Sequence, residues 1–263
     1  MTRTFRIGQI VPSSNVTMET EVPAIFRARE SIAPERFTFH SSRMRMKQVR
    51  AEELAAMDAD SARCAAELSD AHVDVLGYAC LVAIMSTGQG YHRISERNLT
   101  QITADNGAPA PVVTSAGALV NALHILGART ITVVCPYLRP LTDTVVDYIR
   151  TEGVGVADYA ALEIPDNLEV AAHDPEKLVP IAAALDHQDA DAIVLSACVQ
   201  MPSLESIEIA EHELGKPVLS ASIATAHQMM RALGIPAIAP GAGTLLSGQY
   251  AETPPPGHRP GRR

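Results

Sequence analysis

Two of the four cysteines in this sequence, Cys80 and Cys198, each close a short apolar run: Val75-Leu-Gly-Tyr-Ala79 before the first and Ile193-Val-Leu-Ser-Ala197 before the second. Runs of that length read as buried strands. In open α/β sheets, ligands sit beyond the carboxyl ends of the strands. A thiol there can serve as a nucleophile once ionised and as a proton donor while neutral. Two thiols facing one cleft could divide those roles, or act as opposed acid and base. The competing reading is packing, because free cysteine is among the most buried residue types. The other two cysteines act as controls. Cys64 falls on the apolar stripe Leu54, Met57, Cys64, Leu68 of a helix expected over Glu52–Leu68, and Cys135 precedes Pro136 after a strand; both read as packing.

Polar residues stand at loop positions beside the same expected edge. Asn15 follows the first strand in Val11-Pro-Ser-Ser-Asn15, Tyr137 follows Pro136, and Asn167 ends Ile164-Pro-Asp-Asn167. Each also has a plain structural reading: Asn is a favoured helix cap, and a loop Tyr can simply pack. Other motifs do not develop. Gly241-Ala-Gly243 lacks the spacing of a dinucleotide fingerprint, Gly88-Gln-Gly90 only frees the backbone, and His212-Glu213 has no second His one turn on. No Gly-x-Ser-x-Gly elbow occurs. No CxxC or Cys/His spacing suggests zinc, so neither a metal nor a cofactor is expected.

The elements that must position these residues alternate between β-branched runs and helical periods, which predicts an α/β fold. Strands are expected over Phe5–Val11, Arg36–Ser41, Val73–Ala79, Pro111–Thr114, Thr130–Val134, Gly155–Leu162, Ala192–Ser196 and Pro217–Ser220. Further helices are expected to begin near Thr17, Ile94, Ala116, Leu141, Pro175, Ser203 and Ser222. Three segments recur in the same order. Ile7-Gly-Gln-Ile-Val-Pro12 echoes Ile131-Thr-Val-Val-Cys-Pro136, His72–Cys80 echoes Ala190–Cys198, and Pro111–Ser115 echoes Pro217–Ala221. The expectation is two pseudo-symmetric, Rossmann-like lobes with parallel sheets. Residues 1–115 plus 217–250 would form lobe one and 116–216 lobe two, with 251–263, rich in Pro and Arg, a disordered tail.

Composition narrows the partners. The chain has 263 residues, is 47% hydrophobic, has 4% aromatics and no Trp, so its core must be aliphatic. A net charge of −9 argues against nucleic acid and anionic membranes. It leaves room for a small carboxylate held by backbone N–H groups. With neither a signal peptide nor a membrane span in the sequence, a cytoplasmic protein with reduced thiols is expected. The apolar composition makes a homodimer or homotetramer plausible.

Taken together, these residues resemble the Asp/Glu racemase superfamily, whose members carry two lobes with one cysteine from each and use no cofactor. The amino-acid racemases of that group continue their cysteines with Asn-Thr and Thr. Here the segments are Cys80-Leu81-Val82 and Cys198-Val199-Gln200, which is similar to the maleate cis–trans isomerases. That resemblance implies substrate-binding roles for Asn15, Tyr137 and Asn167, with the N–H groups of Leu81, Val82, Val199 and Gln200 holding carboxylates. It also implies a reaction: Cys80 adds to C2 of maleate, Cys198 protonates C3, the succinyl intermediate rotates, and reversal gives fumarate. On this scheme Cys80 should sit in the anion-friendly setting and Cys198 in the less friendly one. A two-cysteine racemase of an amino acid or hydantoin and a non-catalytic carboxylate-binding module are the alternatives. Arylmalonate decarboxylases share the fold but use a single cysteine, so two strand-end cysteines weigh against that activity.

Overall fold

The computed structural model describes residues 3–46 and 51–251. Strands β1 (Thr4–Pro12), β2 (Arg36–Met44), β3 (Val75–Tyr78) and β4 (Val112–Thr114) form one sheet in the order β2-β1-β3-β4. Strands β5 (Thr130–Cys135), β6 (Gly155–Ala161), β7 (Ala192–Ser196) and β8 (Val218–Ser220) form a second, in the order β6-β5-β7-β8. Every pairing is parallel. The sequence echo is therefore a repeated topology, and each expected strand is present, several shorter or longer than the apolar run by up to three residues.

Helices cover the sheets: α1 (Met18–Glu30), α2 (Ala51–Asp70), α3 (Leu81–Thr87), α4 (Tyr91–Asp105), α5 (Ser115–Ile125), α6 (Arg139–Thr151), α7 (Asn167–Ala171), α8 (Leu178–Ala183), α9 (Ile207–Leu214) and α10 (Ala221–Ala232). The short helices α3 and α7 were not expected. They begin directly after Cys80 and Asp166, where local periodicity is too brief to register. Central strands β3 and β7 are buried along their whole length, as parallel strands covered on both faces must be. Their faces are filled by Val, Ile, Leu and Met, the aliphatic core that scarce aromatics require.

One expected boundary needs correction. Residues 217–250 were assigned to lobe one, yet β8 hydrogen-bonds to β7 in register Ile193↔Val218 and Val194↔Leu219, and so belongs to the second sheet. The chain then crosses back. On α10, Met229 reaches the backbone of Gly77 in β3, where Met18 of α1 also packs, so a Cβ on Gly77 would lie 2.9 Å from the Met229 sulfur. Beyond it, the buried Arg29 donates to the carbonyls of Pro236 (2.7 Å) and Ile238 (3.2 Å), while Glu211 of α9 accepts from Thr244 N–H at 2.9 Å. The C-terminal segment thus ties the two sheets together rather than completing one. Apart from Ala251, the expected tail lies outside the described residues.

Cys64 is fully buried on the α2 stripe with Leu54, Met57 and Leu68. Truncation to Cys64→Ala should cost about 1 kcal/mol, the usual scale for a small core deletion, and lower the thermal midpoint by a few degrees without changing enzymatic rates. A folded but inactive Cys64→Ala protein would mean that strand-end position is the wrong criterion for chemistry.

Candidate active site

Strand order places the site. β1 and β3 are neighbours in the first sheet and β5 and β7 in the second, so the loops after them meet at the carboxyl edges. All the site residues expected from sequence except Leu81 line one small cavity of about 20 Å³: Asn15 after β1, Cys80 and Val82 after β3, Tyr137 after β5, Cys198, Val199 and Gln200 after β7, and Asn167 opening α7. Leu81 is buried in the core beside it. Pro12 and Met46 also line the cavity and were not foreseen. Pro12 lay three residues from Asn15, and Met46 follows the carboxyl end of β2, so the strand-end rule could have found both.

Cys80 is a non-glycine residue in the left-handed region, with φ 85° and ψ 71°. Such a conformation costs about 1–3 kcal/mol and persists only where the surroundings enforce it. Here it turns the chain sharply from β3 into α3, setting the thiol at the mouth of the turn rather than in the sheet. Cys198 sits in an irregular segment after β7, where the Ser196 hydroxyl donates to the carbonyl of Cys198 at 2.8 Å and holds the bend.

Both sulfurs are removed from water, and burial pushes both thiols above their ordinary range. The Cys80 thiol is pushed up to about 12, with only the Ala83 N–H opposing the shift. Cys198 is also raised by burial, but three donors oppose it: the Tyr137 hydroxyl and the N–H groups of Gln200 and Met201. The Gln200 N–H lies 3.4 Å from the Cys198 sulfur. This reverses the expected asymmetry, since Cys198 rather than Cys80 occupies the anion-friendly setting. The cause is local backbone: the bend after β7 turns two amides back onto Sγ, whereas the turn into α3 supplies Cys80 with one. Cys135, at the end of β5, is buried and also raised; Thr142 is its hydrogen-bond partner, which fits packing.

The polar residues divide their atoms between structure and cavity. Asn15 Oδ1 accepts from Met18 N–H at 3.0 Å, bracing the start of α1 from two residues before its cap Thr17, and leaves Nδ2 for the cavity. Asn167 is not a cap, because Asp166 accepts from Leu168 and Glu169 N–H instead. Its Nδ2 donates to Ser14 Oγ at 2.8 Å. The Tyr137 hydroxyl lies between Cys198 and the carbonyl of Ala197, 3.2 Å away.

Gln200 differs from the rest. Its Oε1 accepts from Val16 N–H at 2.9 Å and Thr17 N–H at 3.4 Å, and its Nε2 donates to the carbonyls of Ser14 and Asn167 at 2.9 and 2.8 Å. The side-chain amide is saturated by protein, so it fastens three loops and has nothing left for a ligand. Glu21, unremarked in sequence, works on the same segment: its buried carboxylate accepts from Ser203 and Leu204 N–H at 2.6 and 2.7 Å.

Gln200→Glu would keep the acceptor but set a carboxylate oxygen against the Ser14 and Asn167 carbonyls. With two buried carbonyls unsatisfied at about 1–3 kcal/mol each, guanidinium unfolding should show at least about 2 kcal/mol lost. A variant of wild-type stability would mean the amide is not what joins these loops.

Among the described residues no group of three or more His, Cys, Asp or Glu could hold a metal, and no helix is long and apolar enough to cross a membrane. A family model described as arylmalonate decarboxylase matches residues 7–246. A maleate isomerase of Pseudomonas putida is 65% identical over 250 residues, covering 95% of this chain and all of that protein. Among solved structures, a cysteine-to-alanine variant of the maleate isomerase Iso from Pseudomonas putida S16, crystallised with maleate, superposes with a TM-score of 0.94 at 62% identity, covering 95% of this chain and 100% of that one. A cysteine-to-serine variant of the Nocardia farcinica maleate cis–trans isomerase, holding a covalently bound succinylcysteine intermediate, superposes at 0.89 with 47% identity over 92% of this chain and 98% of that one. With that identity sustained across the whole described fold, the chain belongs to the maleate isomerase family.

Proposed function

We propose that this protein converts maleate to fumarate by cis–trans isomerisation through a succinyl group carried on Cys80, with Cys198 moving the proton. The observation that carries the reading is the meeting of two buried thiols from equivalent strand ends in one cavity. A C=C bond does not rotate until it is made single. Cys80 sulfur adds to C2, the electron pair of the double bond moves to C3, and the Cys198 thiol gives C3 its proton. Rotation about C2–C3 follows, then Cys198 removes a proton from C3 and Cys80 leaves with the sulfur–carbon electron pair. The scheme closes on two sulfurs and one proton and calls for no further group.

The electrostatic asymmetry of the site suits this sequence once its charge is followed. While the succinyl group is bound, Cys80 is a neutral thioether and Cys198 carries the negative charge. The three donors at Cys198 therefore stabilise the intermediate. Asn15 Nδ2, Asn167 Nδ2 and the N–H groups beside Val82 and Val199 are the candidates for holding the carboxylates, and Gln200 positions the loops that present them. A small dicarboxylate is the partner that the donors lining this cavity suit, in a cytoplasmic homo-oligomer. For the lobes, the reading is one around each sheet, with residues 217–250 shared.

Purified protein should convert maleate to fumarate, followed by NMR without added cofactor, at a rate unchanged by dialysis against a chelator. Cys80→Ala should abolish both turnover and covalent labelling. Cys198→Ser should lose several orders of magnitude in rate, since a hydroxyl holds its proton far more tightly, while intact-mass spectrometry finds one added substrate on the Cys80 peptide. Near-normal turnover in Cys198→Ala would eliminate the two-thiol scheme.

The pH dependence follows in sign. One ionisation is shared by the thiol pair, so its apparent value belongs to the pair, and burial raises both members. The active singly ionised form is therefore scarce at neutral pH, and kcat should climb from about pH 7 to beyond about pH 9, past the ordinary thiol range. A plateau already reached below pH 7 would contradict the assignment.

A further inference from the structure

Tied to the strand that carries Cys80 is a carboxylate that the scheme above does not use. Asp58, half-buried on α2, accepts from two tyrosine hydroxyls, Tyr78 to Oδ1 at 2.8 Å and Tyr91 to Oδ2 at 2.5 Å. Tyr78 is fully buried and stands two residues before Cys80 on β3, and Tyr91 opens α4 just after the turn that ends α3. One carboxylate thus joins α2, the end of β3 and the start of α4, the three elements that enclose the strained turn at Cys80.

We propose that Asp58 is the positioning residue of Cys80: braced by Tyr78 and Tyr91, its carboxylate fixes the strand end bearing the thiol and adds a fixed negative charge to the thiol's surroundings. This rests on the isomerase reading. Charge moves from Cys80 to Cys198 during addition, so the anion acting on Cys80 and the three donors at Cys198 push in the same direction, against the Glu21 carboxylate that acts on Cys198. Anion and donors each favour forming the succinyl adduct over holding the charge on Cys80. Among the described residues, the titratable groups around Cys80 are Asp58 from α2, Tyr78 from its own strand, Tyr137 from the loop after β5 and Cys198 from the end of β7. Asp58 adds to the rise that burial imposes on the Cys80 thiol.

The test measures thiol chemistry, not turnover, so it stands apart from the isomerase assay. Wild type, Asp58→Asn and Tyr91→Phe are treated with iodoacetamide at one fixed pH near 8, and label on the Cys80 peptide is timed by mass spectrometry. Removing one neighbouring charge lowers a thiol by about one pH unit. That makes about tenfold more thiolate, each about threefold less nucleophilic for a Brønsted slope near 0.5. Asp58→Asn should therefore label Cys80 about threefold faster, and Asp58→Glu should return the rate to that of wild type. Tyr91→Phe removes the tether to α4 but keeps the charge, so its rate should not rise. Equal labelling of wild type and Asp58→Asn would overturn the proposal, as would an equal acceleration in Tyr91→Phe, since both would reduce Asp58 to a brace. Should Asp58→Asn not fold, Asp58→Ser carries the same expectation and the same overturning result. Failure to isomerise maleate with threefold faster labelling intact would refute the reaction while leaving the charge effect at Cys80 standing.

Discussion

The side-chain amide of Gln200 makes hydrogen bonds to four backbone groups on two other loops, and the relative placement of the two catalytic candidates depends on it. Its donors and acceptor run to Ser14, Val16 and Thr17 after β1, and to Asn167 at the start of α7. Its own N–H points at the Cys198 sulfur. A buried amide is costly when any of its groups is left unmet, so this arrangement admits one geometry and resists others. Thr17 and Glu21 reinforce it from α1, through the Gln200 carbonyl at 2.7 Å and the Ser203 and Leu204 amides. The first helix of one sheet thereby holds the cysteine segment of the other.

Desolvation governs what the joined site can do. Both thiols are raised by burial, so neither carries charge without cost, and the proposed reaction needs one negative charge to travel between them. On the proposed scheme, neutral donors cluster at Cys198, where that charge ends and where Glu21 also acts, and the Asp58 carboxylate acts on Cys80, where it begins. The left-handed backbone at Cys80 belongs to the same design. It is a strained conformation held by surrounding packing, and it turns the still-buried thiol out of β3 toward the cavity it lines.

Interlobe ties away from the site show why the cleft keeps its width. The Arg93 guanidinium pairs both oxygens of Glu152 at 2.9 and 2.5 Å, and His92 Nδ1 meets the Tyr148 hydroxyl at 2.5 Å, joining α4 to α6. Arg29 and Glu211 fasten the returning C-terminal segment to both sheets. The cavity lies at the meeting edge of two rigid sheets fastened at several separated points.

What could be read from sequence was whatever leaves a local pattern. Alternation of apolar runs and helical periods marked the strands, and the repeated order of three short segments marked the duplicated topology. Strand-end position at matching points of the repeat then selected Cys80 and Cys198, while Cys135, whose counterpart is Val11, and Cys64, on a helical apolar stripe, read as packing. Loop position selected Asn15, Tyr137 and Asn167, with the family resemblance deciding between capping and binding. The sequence could not assign the strand Val218–Ser220 to a sheet, because pairing with β7 is a contact between segments whose own residues do not encode it. Nor could it say that Gln200 is spent on backbone groups, that two amides turn back onto Cys198, or that Asp58 is tied to the strand that carries Cys80. Those facts depend on groups as much as 186 residues apart in the chain. Periodicity and residue type report the environment a side chain needs; only the folded chain decides which distant backbone group supplies it, and on which thiol the charge comes to rest.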